Sequence, residues 1–419
     1  MQPQRGWVRV RSGGARLRTA VALASAWVCA CTPVANRPDR QDELYDPDVV
    51  QDISLTIAQA DLDAMEAALP DDEIYVPATL VWNDVTLDDV GVKFKGNSSR
   101  GQLKRGYLIK MHEYVDQHFL GLRRVALDNG IQFGSLFSER ILDEVLRAEG
   151  VVASRANYAR LTINGTFQGV FVNVERIDKP FLKTNFDGED EGNLYKCDLG
   201  GPGARLDVVD AAAYGTTFEA QTNEDTADGS DLLALATTLR DGTLDDVKAA
   251  VDVDAFVRLM PVMMLGGAFD QYTGFNAHNY YLYRDPASQQ WTYIAHDLDV
   301  GFADNAFGMV AVIDGWNAAT PRPVSPLPLV DRILGDPELL ARYRELARAD
   351  LTAYFTPALI GARLDALYAQ IADDLARDPN PAVRVTNPDI VGYPAILDDM
   401  KAFVQRRFDT ATSELAGAP

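Results

Sequence analysis

Cysteine and histidine are scarce in this sequence. Its 419 residues hold three cysteines and four histidines, too few for a disulfide framework or a histidine-rich metal site. No apolar run reaches the roughly 20 residues of a membrane span. The nucleotide and hydrolase signatures Gly-x-x-x-x-Gly-Lys-Ser/Thr, Gly-x-Gly-x-x-Gly, Gly-x-Ser-x-Gly and His-Glu-x-x-His are absent. Positive charge is also short. Lysine and arginine number 39 against 61 acids, a net charge of −22. A body so acidic repels nucleic acid and anionic lipid, which excludes both as partners. It repels ATP at long range too, so a phosphate site requires a local basic pocket.

What is present is ordinary for a globular protein: 47% apolar and 24% charged residues. The length suits two or three domains, or one large two-lobed unit. The first 30 residues carry five arginines (Arg5, Arg9, Arg11, Arg16, Arg18) and no acid. An apolar stretch from Ala20 to Ala30 follows, then Cys31, and Val28-Cys29-Ala30-Cys31 resembles a bacterial lipobox. The expectation is a lipoprotein signal over 1–30, removed to leave Cys31 lipidated; an ordinary signal peptide cut nearby is the alternative. Either places the chain outside the cytoplasm, periplasmic or at the surface, with membrane contact through a lipid anchor. Residues 31–52 read as an acidic tether. Cys197 is left without an intrachain partner.

The first half of the remainder reads as strands. Val92–Lys95 alternates and breaks at Gly96-Asn97-Ser98-Ser99, and Tyr107–Met111 is a second strand. Leu136–Ala148 is an amphipathic helix stopped by Gly150. Ala159–Glu175 is a hairpin around Asn164-Gly165, the pair a type I′ turn favours. The second half reads as mostly helical: a buried helix over Val253–Phe269, a hairpin from Tyr280–Arg284 to Trp291–His296, and helices from Leu329 to Leu415. Such segregation predicts an α+β fold with two lobes, β-rich over 53–200 and mostly helical over 201–415.

The densest polar run in apolar context surrounds that second hairpin. Asp270 ends the apolar helix, Asn279 opens the hairpin, and Asp297 and Asp299 close it. Oxygen ligands of this kind suit Mg2+ or Mn2+. An acid to orient a hydroxyl, with two groups to hold a metal on phosphates, is what in-line phosphoryl transfer requires.

Five ordered blocks give these residues a family. Gly91-Val92-Lys93-Phe94-Lys95-Gly96-Asn97-Ser98-Ser99, then Ile163-Asn164-Gly165 through Glu175-Arg176-Ile177-Asp178, resemble the spore coat CotH kinase family. So do Asn193-Leu194-Tyr195-Lys196, His278-Asn279-Tyr280-Tyr281-Leu282-Tyr283 with Trp291 and Asp297-Leu298-Asp299, and Val404-Gln405-Arg406-Arg407. The resemblance implies an atypical protein kinase-like fold that uses ATP and a divalent metal on a protein substrate. It implies Asp270 as the catalytic aspartate and Asn279 and Asp297 as metal ligands, with Asp299 a second. Asn97, Ser98 and Ser99 would cover the phosphates. Lys110 is the candidate phosphate lysine, with Glu139 or Glu144 as its partner. Glu175 would lie at a hinge beside the base, and Lys196 is a further nucleotide-binding candidate. His296 departs from the family, which has an aromatic residue there. Two other readings stay open. One is a non-catalytic envelope scaffold or adhesive protein that keeps the fold. The other is a metal-dependent hydrolase using His278, His296, Asp297 and Asp299.

Overall fold

The computed structural model describes residues 34–96, 99–198, 203–207, 215–273, 277–304 and 327–417. Seven strands close a barrel: β1 (Gln51–Ile57), β2 (Val76–Trp82), β3 (Val85–Lys95), β4 (Gly106–Lys110), β5 (Arg124–Asp128), β6 (Ala156–Ile163) and β7 (Thr166–Val174). Their order is β1-β2-β3-β4-β5-β7-β6, closed by a parallel β1–β6 pair. The alternation of the strands sends Leu55, Leu80, Val92, Ile109, Val125 and Leu161 into an interior core of their own. Closure leaves no free edge.

The β6–β7 turn forms as expected: Asn164 and Gly165 both hold positive φ, 51° and 77°, the geometry of a type I′ turn. The helix Ser138–Ala148 lies between β5 and β6 in sequence. It buries Ile141, Leu142, Val145 and Leu146 in a second core, shared with the outer face of β6 and β7 and with the helical lobe.

That lobe has its own sheet, β8 (Leu194–Cys197), β9 (Phe218–Ala220), β10 (Tyr280–Arg284) and β11 (Trp291–Ala295), in the order β11-β10-β8-β9. Tyr272, Tyr280 and Tyr293 pack together beneath it, the last two stacked at 4.7 Å. The long helices Val253–Gly266, Pro337–Ala353, Pro357–Leu375 and Tyr393–Gly417 complete the lobe. The fold is thus α+β, with a β-rich first lobe and a mostly helical second. No helix among the described residues is long and apolar enough to cross a membrane.

Two expectations change. The division expected at residue 200 falls earlier, because β8 hydrogen-bonds to β10 rather than to the barrel. The second half of the acidic tether is folded: Leu44 and Tyr45 are buried in the barrel core, and Asn157 Nδ2 donates to the Leu44 and Asp46 carbonyls. Two apolar side chains among many acids were enough to dock it. Cys31 lies outside the described residues.

One buried acid in the helical lobe opposes the fold. Asp350 is 1% exposed, and its Oδ2 has no partner among the described residues. Burial, then the nearby Glu149, pushes its carboxyl up to about 7. The unfolded chain ionises this group near 4, so the native state is increasingly disfavoured as pH rises from there to 7, and fully so above. Asp350→Asn is expected to raise the melting temperature at pH 8 and to change it little at pH 4. Equal shifts at both pH values would contradict this assignment.

Candidate active site

The site begins at the end of β3. Lys95 is the last residue of that strand, and its Nζ donates to Asp128 Oδ2, at the end of β5, at 2.7 Å. It also lies 3.5 Å from Asp297 Oδ1. Asp128, Asp297 and Asp299 each offer a carboxylate oxygen, all within 4.8 Å of one another. Glu139, in the first turn of the helix Ser138–Ala148 and 4% exposed, faces the same group.

Four carboxylates therefore surround one ammonium. Burial opposes the charge on Lys95, but Asp128, Asp297 and Glu139 outweigh it and hold the ammonium well above its ordinary range. Burial pushes the Asp299 carboxyl well above the carboxylate range, and Asp297, Asp128 and Glu139 add to it. Glu139 is pushed up by burial, then by Asp128, Asp143 and Asp297. One cation does not balance this set, and a divalent ion would. The all-oxygen donors fit Mg2+ or Mn2+.

Close backbone approach fixes the acidic loop against the helix. Gly134 N donates to the Asp299 carbonyl at 2.8 Å, and Ser138 Oγ to the Leu298 carbonyl at 2.7 Å. A Cβ on Gly134 would lie 2.6 Å from that same Asp299 oxygen and collide with Ser138. Asp297 itself sits at φ 60°, a left-handed conformation that turns its side chain out of the strand path.

Asp270 stands beside this loop. Gln271 Nε2 donates to the His296 carbonyl at 2.8 Å, and His296 N donates to the Asn279 carbonyl at 3.0 Å. Asn279 Nδ2 donates to the Asp270 carbonyl at 2.9 Å, and His278 Nε2 lies 3.3 Å from Asp270 Oδ1. The Asp270 side chain is 34% exposed, open to a substrate, whereas His278 is 5% exposed. His296 is half-buried, edge-on to Tyr281. Burial, then Arg176, Lys196 and Lys95, hold it well below the usual imidazole range, so it is neutral.

Of the expected acids, Asp297 and Asp299 converge with Asp128, whereas among the described residues Asp270 does not join that carboxylate group, and the basic residues are redistributed. Lys110 lies on the same face of the sheet as Lys95 at the other end of β4, paired with Glu113 at 2.6 Å. Four residues separate it from Gly106, the partner of Lys95, about 13 Å along the strand. Lys95, rather than Lys110, lies beside the carboxylates. Glu139 faces it, while Glu144 is drawn to Arg363 at 2.5 Å. Glu175 is 2% exposed and held by Arg155, Nε to Oε2 at 2.9 Å, so its carboxylate is closed to a ligand. Lys196 borders the site, paired with Asp198 and next to Tyr281 across β8–β10. Ser99 caps the turn after β3, its Oγ folded over Gly96. Asn97 and Ser98 lie outside the described residues. Among the described residues neither His278 nor His296 joins the carboxylate group, which removes the support for a histidine–aspartate metal site. Sequence reasoning missed Asp128, and Lys95 in its ionic role.

The profile of the family described as CotH kinase protein matches residues 92–410. The chain belongs to this family. A curated relative, the inner spore coat protein H of Bacillus subtilis (strain 168), is 24% identical over 340 residues, 78% of this chain and 88% of that protein. Among solved structures, the proinflammatory kinase CtkA of Helicobacter pylori aligns over 84% of this chain and 96% of its own, with 11% identity and a TM-score of 0.29. At that score the superposition says nothing about the chemistry here. The matched region takes in Lys95, Asp128, Asp270, Asp297 and Asp299 of this CotH kinase-like protein, while β1, β2 and the start of β3 precede it.

Substitutions in the carboxylate cluster should act with opposite signs. Lys95→Ala removes the one central cation and should cost on the order of 3 kcal/mol in unfolding experiments. Asp299→Asn should raise the melting temperature of the metal-free protein and abolish its further rise with Mn2+. Destabilisation by Asp299→Asn without metal would show that the four acids are already balanced.

Proposed function

We propose that this chain is a divalent-metal-dependent kinase that transfers the γ-phosphate of ATP to serine or threonine hydroxyls of exported or surface proteins. The observation that carries the reading is the uncompensated group Asp128–Asp297–Asp299 around Lys95. Asp270 is next in sequence to Gln271, which donates to the His296 carbonyl; the Asp270 backbone carbonyl accepts from Asn279, and its open carboxylate lies 3.3 Å from His278.

Asp297 and Asp299, with Asp128 beside them, would hold the metal, and Asn279 is the candidate amide ligand. When bound, the ion neutralises phosphate charge and fixes the phosphates for in-line attack. Lys95, kept protonated by its acids and oriented by Glu139, donates to a phosphate oxygen. Asp270 accepts the hydroxyl proton, its backbone held by Asn279 and its carboxylate by His278. The turn at Ser99, with Asn97 and Ser98, would close over the phosphates. Lys196 and Arg176 supply the local basic pocket that an acidic protein needs to admit ATP. The N-terminal segment is proposed as the address: residues 1–30 export the chain, and lipidated Cys31 anchors it at the periplasmic or outer surface.

Thermal-shift and transfer assays separate the roles. Mn2+ with ATP should stabilise the wild type and leave Asp297→Ala unmoved. Asp270→Ala should keep the stabilisation yet lose phosphate transfer by a factor of 100 or more, within the usual range for a general base. An Asp270→Ala protein with undiminished transfer refutes the assignment. If the wild type neither binds nor transfers, the non-catalytic scaffold reading takes its place.

A further inference from the structure

The barrel face above the cleft carries more positive charge than γ-phosphate transfer uses. Strand register sets Lys95 opposite Gly106, Lys93 opposite Leu108, and Lys110 opposite Gly91. Across the next pair, Leu108 meets Ala126 and Lys110 meets Arg124. The ladder to β7 ends with Ala126 opposite Val174, and Arg124 and Arg176 each lie two residues beyond that pair, both within electrostatic reach of Asp178. The face thus reads in three rows: Lys95 with Asp128 at the metal end; Lys93, paired with Glu73, then Leu108, Ala126 and Val174 between; and Lys110, Arg124 and Arg176 at the far end. Four residues separate the outer rows, about 13 Å.

Like charges side by side on one face of a sheet weaken it, so the far row needs an explanation. Glu113 pairs with Lys110. Asp178 is the buried acid within electrostatic reach of Arg123, Arg124 and Arg176, one carboxyl for three guanidiniums. Among the described residues no carboxylate oxygen makes an ion pair with Arg124 or Arg176, and the Nε of each is buried without a partner. Arg176 donates to the Tyr281 hydroxyl at 3.3 Å, and Asp297 is among the charges acting on it. Lys196 lies across the same tyrosine. The cations therefore form a continuous path from the carboxylate cluster to the far row.

A neutral base seated on that row would leave two desolvated guanidiniums unpaired, whereas phosphate groups would satisfy them with charge-assisted, fork-shaped hydrogen bonds. We propose that the cleft also takes a nucleoside triphosphate in the reverse sense, with the β- and γ-phosphates on Arg124, Arg176 and Lys196 and the α-phosphate beside the carboxylates, and there catalyses nucleotidyl transfer to a hydroxyl. The acceptor oxygen bonds to the α-phosphorus. The bond from that phosphorus to the α,β-bridging oxygen breaks, and pyrophosphate leaves with its electron pair. The hydroxyl proton passes to Asp270. The inference rests on the nucleotide reading above and adds a second outcome for it.

The test supplies the full chain with Mn2+ and ATP labelled at the α- or the γ-phosphate. Both protein-bound label and small products are resolved, with water as the fallback acceptor. Label from the α-position on the protein, or AMP formed with pyrophosphate, is the expected result. Arg176→Ala and Arg124→Ala should lower the ratio of AMP to ADP tenfold or more, and Arg176→Lys, which keeps the charge but loses the fork, by less. Melting curves should show each variant folded, since the two alanine variants relieve a like-charged row and Arg176→Lys leaves its charge unchanged. Transfer or release of the γ-label alone, with ADP, overturns this inference and leaves the kinase reading standing. No product of either kind overturns both.

Discussion

Lys95 decides how the two lobes of this protein meet. Among the described residues its ammonium is the cation paired with both Asp128 from the barrel and Asp297 from the helical lobe, with Glu139 and Asp299 close behind. A half-buried cation shared by acids from three segments fixes the end of β3, the end of β5 and the loop after β11 relative to one another. The glycines at 134 and 301 then bring the backbone of that loop against Ser138, where any larger residue would collide. The result is a rigid seam carrying excess negative charge, the environment in which a divalent ion gains most.

Further ionic contacts hold the lobes around this seam. Lys104 pairs with Asp378 and Arg160 with Asp374, joining the barrel to the C-terminal helices. Arg384, fully buried, donates to the Phe133 carbonyl and to Asp399. Each is a buried or half-buried pair, costly to break on one side. They let the barrel present its cationic outer face to the cleft without closing over it. A chain of net charge −22 thereby keeps a local positive surface on this face of the barrel.

Much of this was legible in the sequence, for local reasons. The Asn164-Gly165 turn, the helix after Leu136 and the hairpin from Tyr280 to Ala295 are encoded by neighbours, and all formed. The approach of Asn279 to the residue before Asp297 followed from a hairpin whose ends must meet, His296 N donating to the Asn279 carbonyl. Asp128 and Lys95 were harder. They lie 33 residues apart and meet because β3, β4 and β5 pair in register, which no local pattern states. Lys95 and Lys110 fall on the same face by strand alternation, so periodicity could not choose between them; the choice lies with the end of the strand that meets the Asp297 loop. Glu175 looked free because its partner, Arg155, sits one hairpin away. Residues 41–45 looked like tether because their acids outnumber Leu44 and Tyr45, the two side chains that dock them.

The central claim is that the carboxylates around Lys95 are an incomplete metal site, completed when a nucleotide brings its phosphates. Titration of Mn2+ followed by electron paramagnetic resonance, with and without a non-hydrolysable ATP analogue, tests it most directly. The account predicts that Mn2+ binds more tightly with the analogue present, that the analogue gains affinity from Mn2+ by the same factor, and that both effects vanish in Asp297→Ala. An Mn2+ affinity indifferent to the analogue, or unchanged in that variant, would contradict it.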